Sequence, residues 1–174
     1  MKKLLLATLI LFGLTVNAQA DQIFKHSGET VSGKVVKVEE YTVVFKYDGE
    51  DAENTISKYA VEKVVYGKSG RTEEMTEKIV VNGEADWEKV IIFEEKSYIA
   101  GLKKGDEIRG KTGLINFQTG NTGDKKAEKK LKIEAAKMGC PFILQTADKT
   151  TVGANSNQIG GSQVIKKGIG YKYK

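Results

Sequence analysis

Through the first third of the chain, apolar residues recur at every second position. Thr30 to Val38 places Val31, Gly33, Val35 and Lys37 on one face, and Val36 and Val38 on the other. Tyr41 to Tyr47 (YTVVFKY) is rich in β-branched and aromatic residues and stops at Asp48-Gly49. Asn54 to Tyr59 alternates through Ile56, and Ala60 to Tyr66 carries Val61, Val64 and Val65 before Gly67. Gln22 to Lys25 opens the series ahead of a turn at His26 to Glu29. Short alternating runs separated by turn residues are strands. Five of them with no helical period between predict a small antiparallel, barrel-like module over residues 21–67, SH3/Sm-like in kind. Closing such a sheet would remove its exposed edges.

The pattern then changes. Residues 68–86 are polar and contain Ser69-Gly70 and Asn82-Gly83, which reads as a linker with one short strand at Ile79 to Val81. Trp87 to Glu94 and Asp106 to Phe117 read as strands, the second bent at Gly110 or Gly113. Ile99 and Leu102 sit beside a predicted turn at Lys103-Lys104-Gly105, and Gln118 to Gly123 reads as another turn. One helix is predicted from about Asp124 to Met138, capped by Thr122 or Asp124 and ended by Gly139 in the left-handed conformation. The 3.6-residue period puts Ala127, Leu131, Ala135 and Met138 on its inner face. Phe142 to Ala147 is a strand, Asp148 to Gly161 a loop rich in Asn and Gly, and Ser162 to Tyr173 the last strand. The expected fold class is α+β, with a β-β-α-β-β domain over residues 87–174 in which one helix packs on a mostly antiparallel sheet. Both units are small, so their stability is expected to depend on docking or on homo-oligomerisation.

The first twenty residues follow a different logic. Lys2 and Lys3 precede an apolar run from Leu4 to Val16, and Ala18-Gln19-Ala20 supplies small residues where a signal peptidase reads. This predicts a secretory signal peptide over residues 1–20, cut after Ala20. The alternative is an uncleaved anchor, but the run is shorter than the roughly 20 residues a spanning helix needs. No cysteine stands near the cut for lipid attachment. A periplasmic or extracellular mature chain with no transmembrane segment is the expectation. Removing the segment takes away two lysines and no acid, so the formal net charge falls from +5 to +3. A weak positive excess with interspersed signs gives no reason to expect a nucleic-acid partner.

Composition narrows the chemistry further. With 40% hydrophobic and 29% charged residues in 174, the chain is globular in type. One Cys and one His exclude a disulfide framework and any zinc site built from several such ligands. Cys140, between Gly139 and Pro141, reads as a small buried residue, with a redox thiol as the alternative. His26, Ser27 and Glu29 share one turn, and neighbours in a turn do not converge as a triad must. The acid pairs Glu39-Glu40, Glu73-Glu74, Glu94-Glu95 and Asp106-Glu107 point to opposite faces if they lie in strands. Asp48-Gly49-Glu50-Asp51 lacks the spacing of a calcium loop. Gly110-Lys111-Thr112 and the glycines of 153–161 lack the strand-to-helix setting of a phosphate loop. The most distinctive charged feature is the helix, where Lys125, Lys126, Lys129, Lys130, Lys132 and Lys137 stand against Glu128 and Glu134. Lys125, Lys126, Lys129 and Lys130 form a candidate anion-binding face.

The segment KIEAAKMGCPFILQTA (132–147) and the closing IGYKY resemble uncharacterised secreted envelope proteins of Bacteroidota-type Gram-negative bacteria. VSGKVVKV and AVEKVVYGKSG resemble small barrel-like modules of the same secreted proteins. The resemblance implies an envelope protein and no particular catalytic residue. Together these readings predict a non-catalytic binding or assembly module without a cofactor, whose partner is an unidentified protein or envelope component. A small hydrolase using acids or His26, and an anionic-surface binder acting through the lysine helix, are the alternatives.

Overall fold

β-branched residues at alternate positions build the first sheet. In the computed structural model, which describes residues 19–113, 120–152 and 162–174, its strands are β1 (Asp21–Lys25), β2 (Thr30–Val38), β3 (Thr42–Tyr47), β4 (Asn54–Ser57), β5 (Val61–Val65) and β6 (Thr72–Glu74). They pair antiparallel in the order β4-β3-β2-β1-β5-β6. A 3-10 turn at Lys58–Ala60 carries the chain from β4 to β5, which returns beside β1. The Asp21 carboxylate fixes this return. It accepts from Val35 N on β2 and from Gly67 N just beyond β5, both at 2.9 Å. The alternation along β2 is broken by a bulge between Val35 and Lys37. The extra residue sends Val38 to the core side with Val35 and leaves Val36 outside, 43% exposed.

The expected closed barrel does not form. Among the described residues the six-stranded sheet is open, with β4 and β6 as its edges. Its apolar face is covered instead by a second sheet, made of β7 (Ile91–Phe93), β8 (Lys103–Lys111), β9 (Phe142–Val152) and β10 (Ser162–Lys172), in the order β7-β9-β10-β8. β7 runs parallel to β9, and the other pairs are antiparallel. One α-helix among the described residues, α1 (Gly120–Lys137), packs on the other face of this sheet. The fold is mixed α+β, mostly sheet with one main helix.

Several expected boundaries move. The strand within 68–86 is Thr72–Glu74, not 79–81. Residues 84–89, expected to begin a strand at Trp87, form a 3-10 helix, and β7 is only three residues long. The turn expected at 103–105 is already β8. α1 begins at Gly120, so Thr122 and Asp124 lie within its first turns. Gly139 ends it at φ 63°, as the left-handed position requires. Gly110 is the contact between helix and sheet. A Cβ there would lie 2.1 Å from the Ala127 carbonyl oxygen, so the helix backbone rests directly on β8. The signal-peptide reading falls on residues 1–18 and most of the Asn/Gly-rich loop on 153–161, outside the described residues.

One apolar cluster joins the two sheets. Ile23, Val43, Phe45, Val61 and Val64 of the first meet Phe93, Phe142, Leu144 and Tyr171 of the second. The aromatic rings form a continuous chain through it. Tyr98 packs on Tyr41 and Phe93, Phe93 stacks on Phe142 at 5.9 Å, and Phe142 meets Tyr59 and Tyr173 edge or tilt. A second cluster lies between α1 and the helix side of the second sheet, with Leu131, Ala135, Ala136, Val90, Ile108, Cys140 and Ile143 at its centre. Cys140 is 1% exposed, and burial pushes its thiol pKa up, as suits a packing residue. Replacing fully buried Phe142 by Ala is expected to cost about 3–5 kcal/mol. Urea unfolding followed by tyrosine fluorescence should show both the lowered midpoint and loss of the first sheet's packing.

Candidate functional site

α1 is laid on the sheet by its small residues. Ala127, Leu131, Ala135 and Ala136 are fully buried beneath it. This turns Lys125, Lys126, Lys129 and Lys130 outward, and all four are exposed. The Lys129 ammonium stands 4.5 Å from the Trp87 ring centroid, a cation–π contact that fixes one flank of the helix to the 84–89 turn. Lys125, Lys126 and Lys130 have no ion-pair partner among the described residues. Farther along, Lys132 pairs with Glu128, and Lys137 with Glu134 and Glu84, so the second half of the helix is charge-compensated.

Lys130 and Lys137 border an open groove of about 640 Å³ between α1 and β8. Ile108, Ile133 and Met138 supply its apolar floor. Arg109 and Lys111 stand on the β8 side, with Glu107 bonded to Arg109 at 3.2 Å. Among the described residues β8 is an edge strand of its sheet, so this groove opens along that edge. The sequence shows the lysine helix but not its neighbours. Arg109 and Lys111 join the site only because the topology places β8 beneath α1.

A charged group hidden from sequence reading lies under the helix. The Lys166 side chain is 7% exposed and bonds Asp148 at 2.7 Å and Asp124 at 3.1 Å. Gly110 and Asp148 are its cross-strand partners, and Asp124 comes from α1. Burial alone would lower the Lys166 pKa, but the two carboxylates outweigh it and the pKa is raised. The lysine therefore stays protonated, and its role is to pin the first turns of α1 to the sheet. Thr112 caps the same end of the sheet. Its hydroxyl accepts from Val164 N at 3.0 Å and its carbonyl accepts from Gln163 Nε2 at 3.0 Å.

The other candidates are separate. His26 is half-buried, with Nε2 3.2 Å from the Thr76 hydroxyl and its ring 5.3 Å from Tyr173. Ser27 and Glu29 do not join it, and Glu29 pairs with Lys25 at 2.9 Å. Burial lowers the His26 pKa, opposed by the nearby Glu62 carboxylate. Among the acid pairs, Glu39 accepts from Lys37 and Thr42, Glu73 from Tyr66 and Arg71, and Glu95 from Ser97. Each of these three is matched locally, whereas Glu107 of the fourth pair bonds Arg109 and lines the α1–β8 groove with Glu84 and Glu134. No group of three His, Cys, Asp or Glu residues that could hold a metal occurs among the described residues. None of the described helices is long and apolar enough to cross a membrane. In comparison with known proteins, the chain matches no family model, no curated protein and no solved structure.

Breaking the lysine clamp should depend on which partner is removed. Asp124→Asn with Asp148→Asn leaves the buried ammonium with neutral partners and is expected to cost about 3 kcal/mol. Lys166→Met leaves two half-exposed carboxylates free to hydrate and should cost less than about 1 kcal/mol. Equal losses in urea unfolding would contradict this account. Because the folded pKa of Lys166 is raised, its contribution is complete below the ordinary value of 10.5 and is lost as pH rises through the folded value. His26 behaves in the opposite sense. Its folded pKa lies below 6.5, so the unfolded chain takes up the proton first as pH falls. Thermal stability should decline below about pH 6.5, and His26→Gln should flatten that decline.

Proposed function

We propose that the chain is an exported, non-catalytic binding or assembly module whose recognition face is the groove between α1 and β8, together with the outer surface of α1. The observation that carries this reading is the groove itself. It has an apolar floor of Ile108, Ile133 and Met138, a bank on α1 where Lys130 stands beside the paired Lys137 and Glu134, and a bank along the β8 edge where Glu107 pairs with Arg109. An apolar floor with a charged rim is the ordinary anatomy of a protein-binding surface. Lys130, without an ion-pair partner among the described residues, favours an acidic segment as the occupant, since complementary charge speeds encounter and sets register. The edge of β8 adds main-chain groups to which an extended segment can pair. The run of residues 1–20 supports export, and an envelope setting follows from it. The meander of β1 to β4 with β5 returning beside β1 after a 3-10 turn supports reading residues 21–67 as an SH3/Sm-like module, left open on the side that the second sheet covers.

A photo-crosslinking residue at Ile133 should capture one defined envelope component, and the same residue at exposed Lys34 should not. Lys130→Glu with Lys137→Glu should slow capture and remove its dependence on salt. Capture that is equal from both positions, or indifferent to the charge reversal, would refute the groove as the recognition face.

A further inference from the structure

The second sheet has two faces, and only one carries the helix. Alternation along the strands assigns its residues without ambiguity. Ile108, Gly110, Val164 and Lys166 lie under α1, so Arg109, Lys111, Ile165 and Lys167 point the other way. Asp148 bonds Lys166 on the helix side, which puts Lys149 on the opposite face as well. The first sheet covers this opposite face only where Phe142, Leu144, Ile169 and Tyr171 reach the shared core. Beyond Ile169, Ile165 and Lys167 belong to neither apolar cluster of the described residues.

Strand register then gathers cations there, with Glu107 as the acid beside Arg109. Lys167 stands directly across from Arg109, and Ile165 lies between Lys111 on one side and Lys149 on the other. Arg109, Lys111 and Lys149 are exposed and Lys167 is half-buried. Glu107 bonds Arg109, while Lys111, Lys149 and Lys167 have no ion-pair partner among the described residues. Like charges directly opposite one another weaken a sheet. Three adjacent strands that all present cations around a single isoleucine thus oppose the fold's own stability, and an anionic partner would relieve that repulsion.

We propose that this face of the second sheet docks on an anionic phospholipid surface. The hollow of about 550 Å³ beside Lys167 and Ile169 is lined by Asp106 and Glu107 as well as by Lys104, which does not suit a small anion, whereas the cations around Ile165 match an array of phosphates. Ile165 at their centre can enter the headgroup boundary while the lysines stay at phosphate level. α1 lies on the reverse of the same sheet, so docking leaves the α1–β8 groove facing away from the membrane.

Co-sedimentation of the full chain with phosphatidylglycerol vesicles tests this. Binding is expected to weaken about fivefold for each of Lys149→Gln and Lys167→Gln at low salt, to fade at high salt, and to be absent with phosphatidylcholine. Lys34→Gln should leave it unchanged. Lys167→Gln should also raise the melting temperature of the free protein, because it removes the cross-strand repulsion from Arg109. This second readout is independent of any partner at the groove. The proposal is overturned if the vesicles do not bind in a salt-sensitive way, if only Lys125→Gln and Lys126→Gln weaken binding, or if tripolyphosphate in solution binds while vesicles do not.

Discussion

The fold depends on Phe142. It is fully buried, stacks on Phe93 within its own sheet, and meets Tyr59 from the 3-10 turn between β4 and β5 and Tyr173 from the chain's end. A six-stranded sheet of short strands exposes an apolar face that it must cover by curling into a barrel or by acquiring a lid. Here the second sheet is the lid, and the aromatic chain centred on Phe142 holds it in place. Neither sheet has enough area to bury such a face alone, so each one's stability is lent by the other. The shared core also orients the second sheet, because Phe142, Leu144, Ile169 and Tyr171 bring one end of that sheet's face against the first sheet.

The elements visible in the sequence are those whose local pattern and tertiary role agree. The period-two runs of β2 to β5, the inner face of α1 and the left-handed Gly139 are of this kind. What escaped detection was decided by contacts distant in sequence. Gly120 to Gly123 are poor helix formers, yet they open α1, whose early turns are clamped through Asp124 to Lys166. Gly110 looked like a strand irregularity and is instead the surface on which a helix backbone rests. The bulge after Val35 reverses the facing of Val38, which strict alternation had put outside. Trp87 has the composition of a strand but packs against α1 from a 3-10 turn.

The charged surface divides in the same way. The lysines of α1 could be found by spacing, because a helix repeats locally. Lys166 could not be recognised as buried, since a lysine in an alternating strand reads as solvated until its two carboxylates are in view. Arg109 and Lys167 are distant in sequence and become neighbours only through the pairing of β8 with β10. Pairing of strands, not composition, converts an almost neutral chain into one with two cationic faces on opposite sides of a single sheet.

The placement of the aromatic residues has a further consequence. The single tryptophan, Trp87, belongs to the cluster beneath α1. Tyr41, Tyr59, Tyr66, Tyr98, Tyr171 and Tyr173 all belong to the cluster between the sheets. The two cores therefore carry different natural chromophores. Selective excitation of indole follows the helix layer, while phenol emission follows the joint between the sheets. Without any added label, the unmodified chain reports whether its two cores are lost together or in sequence.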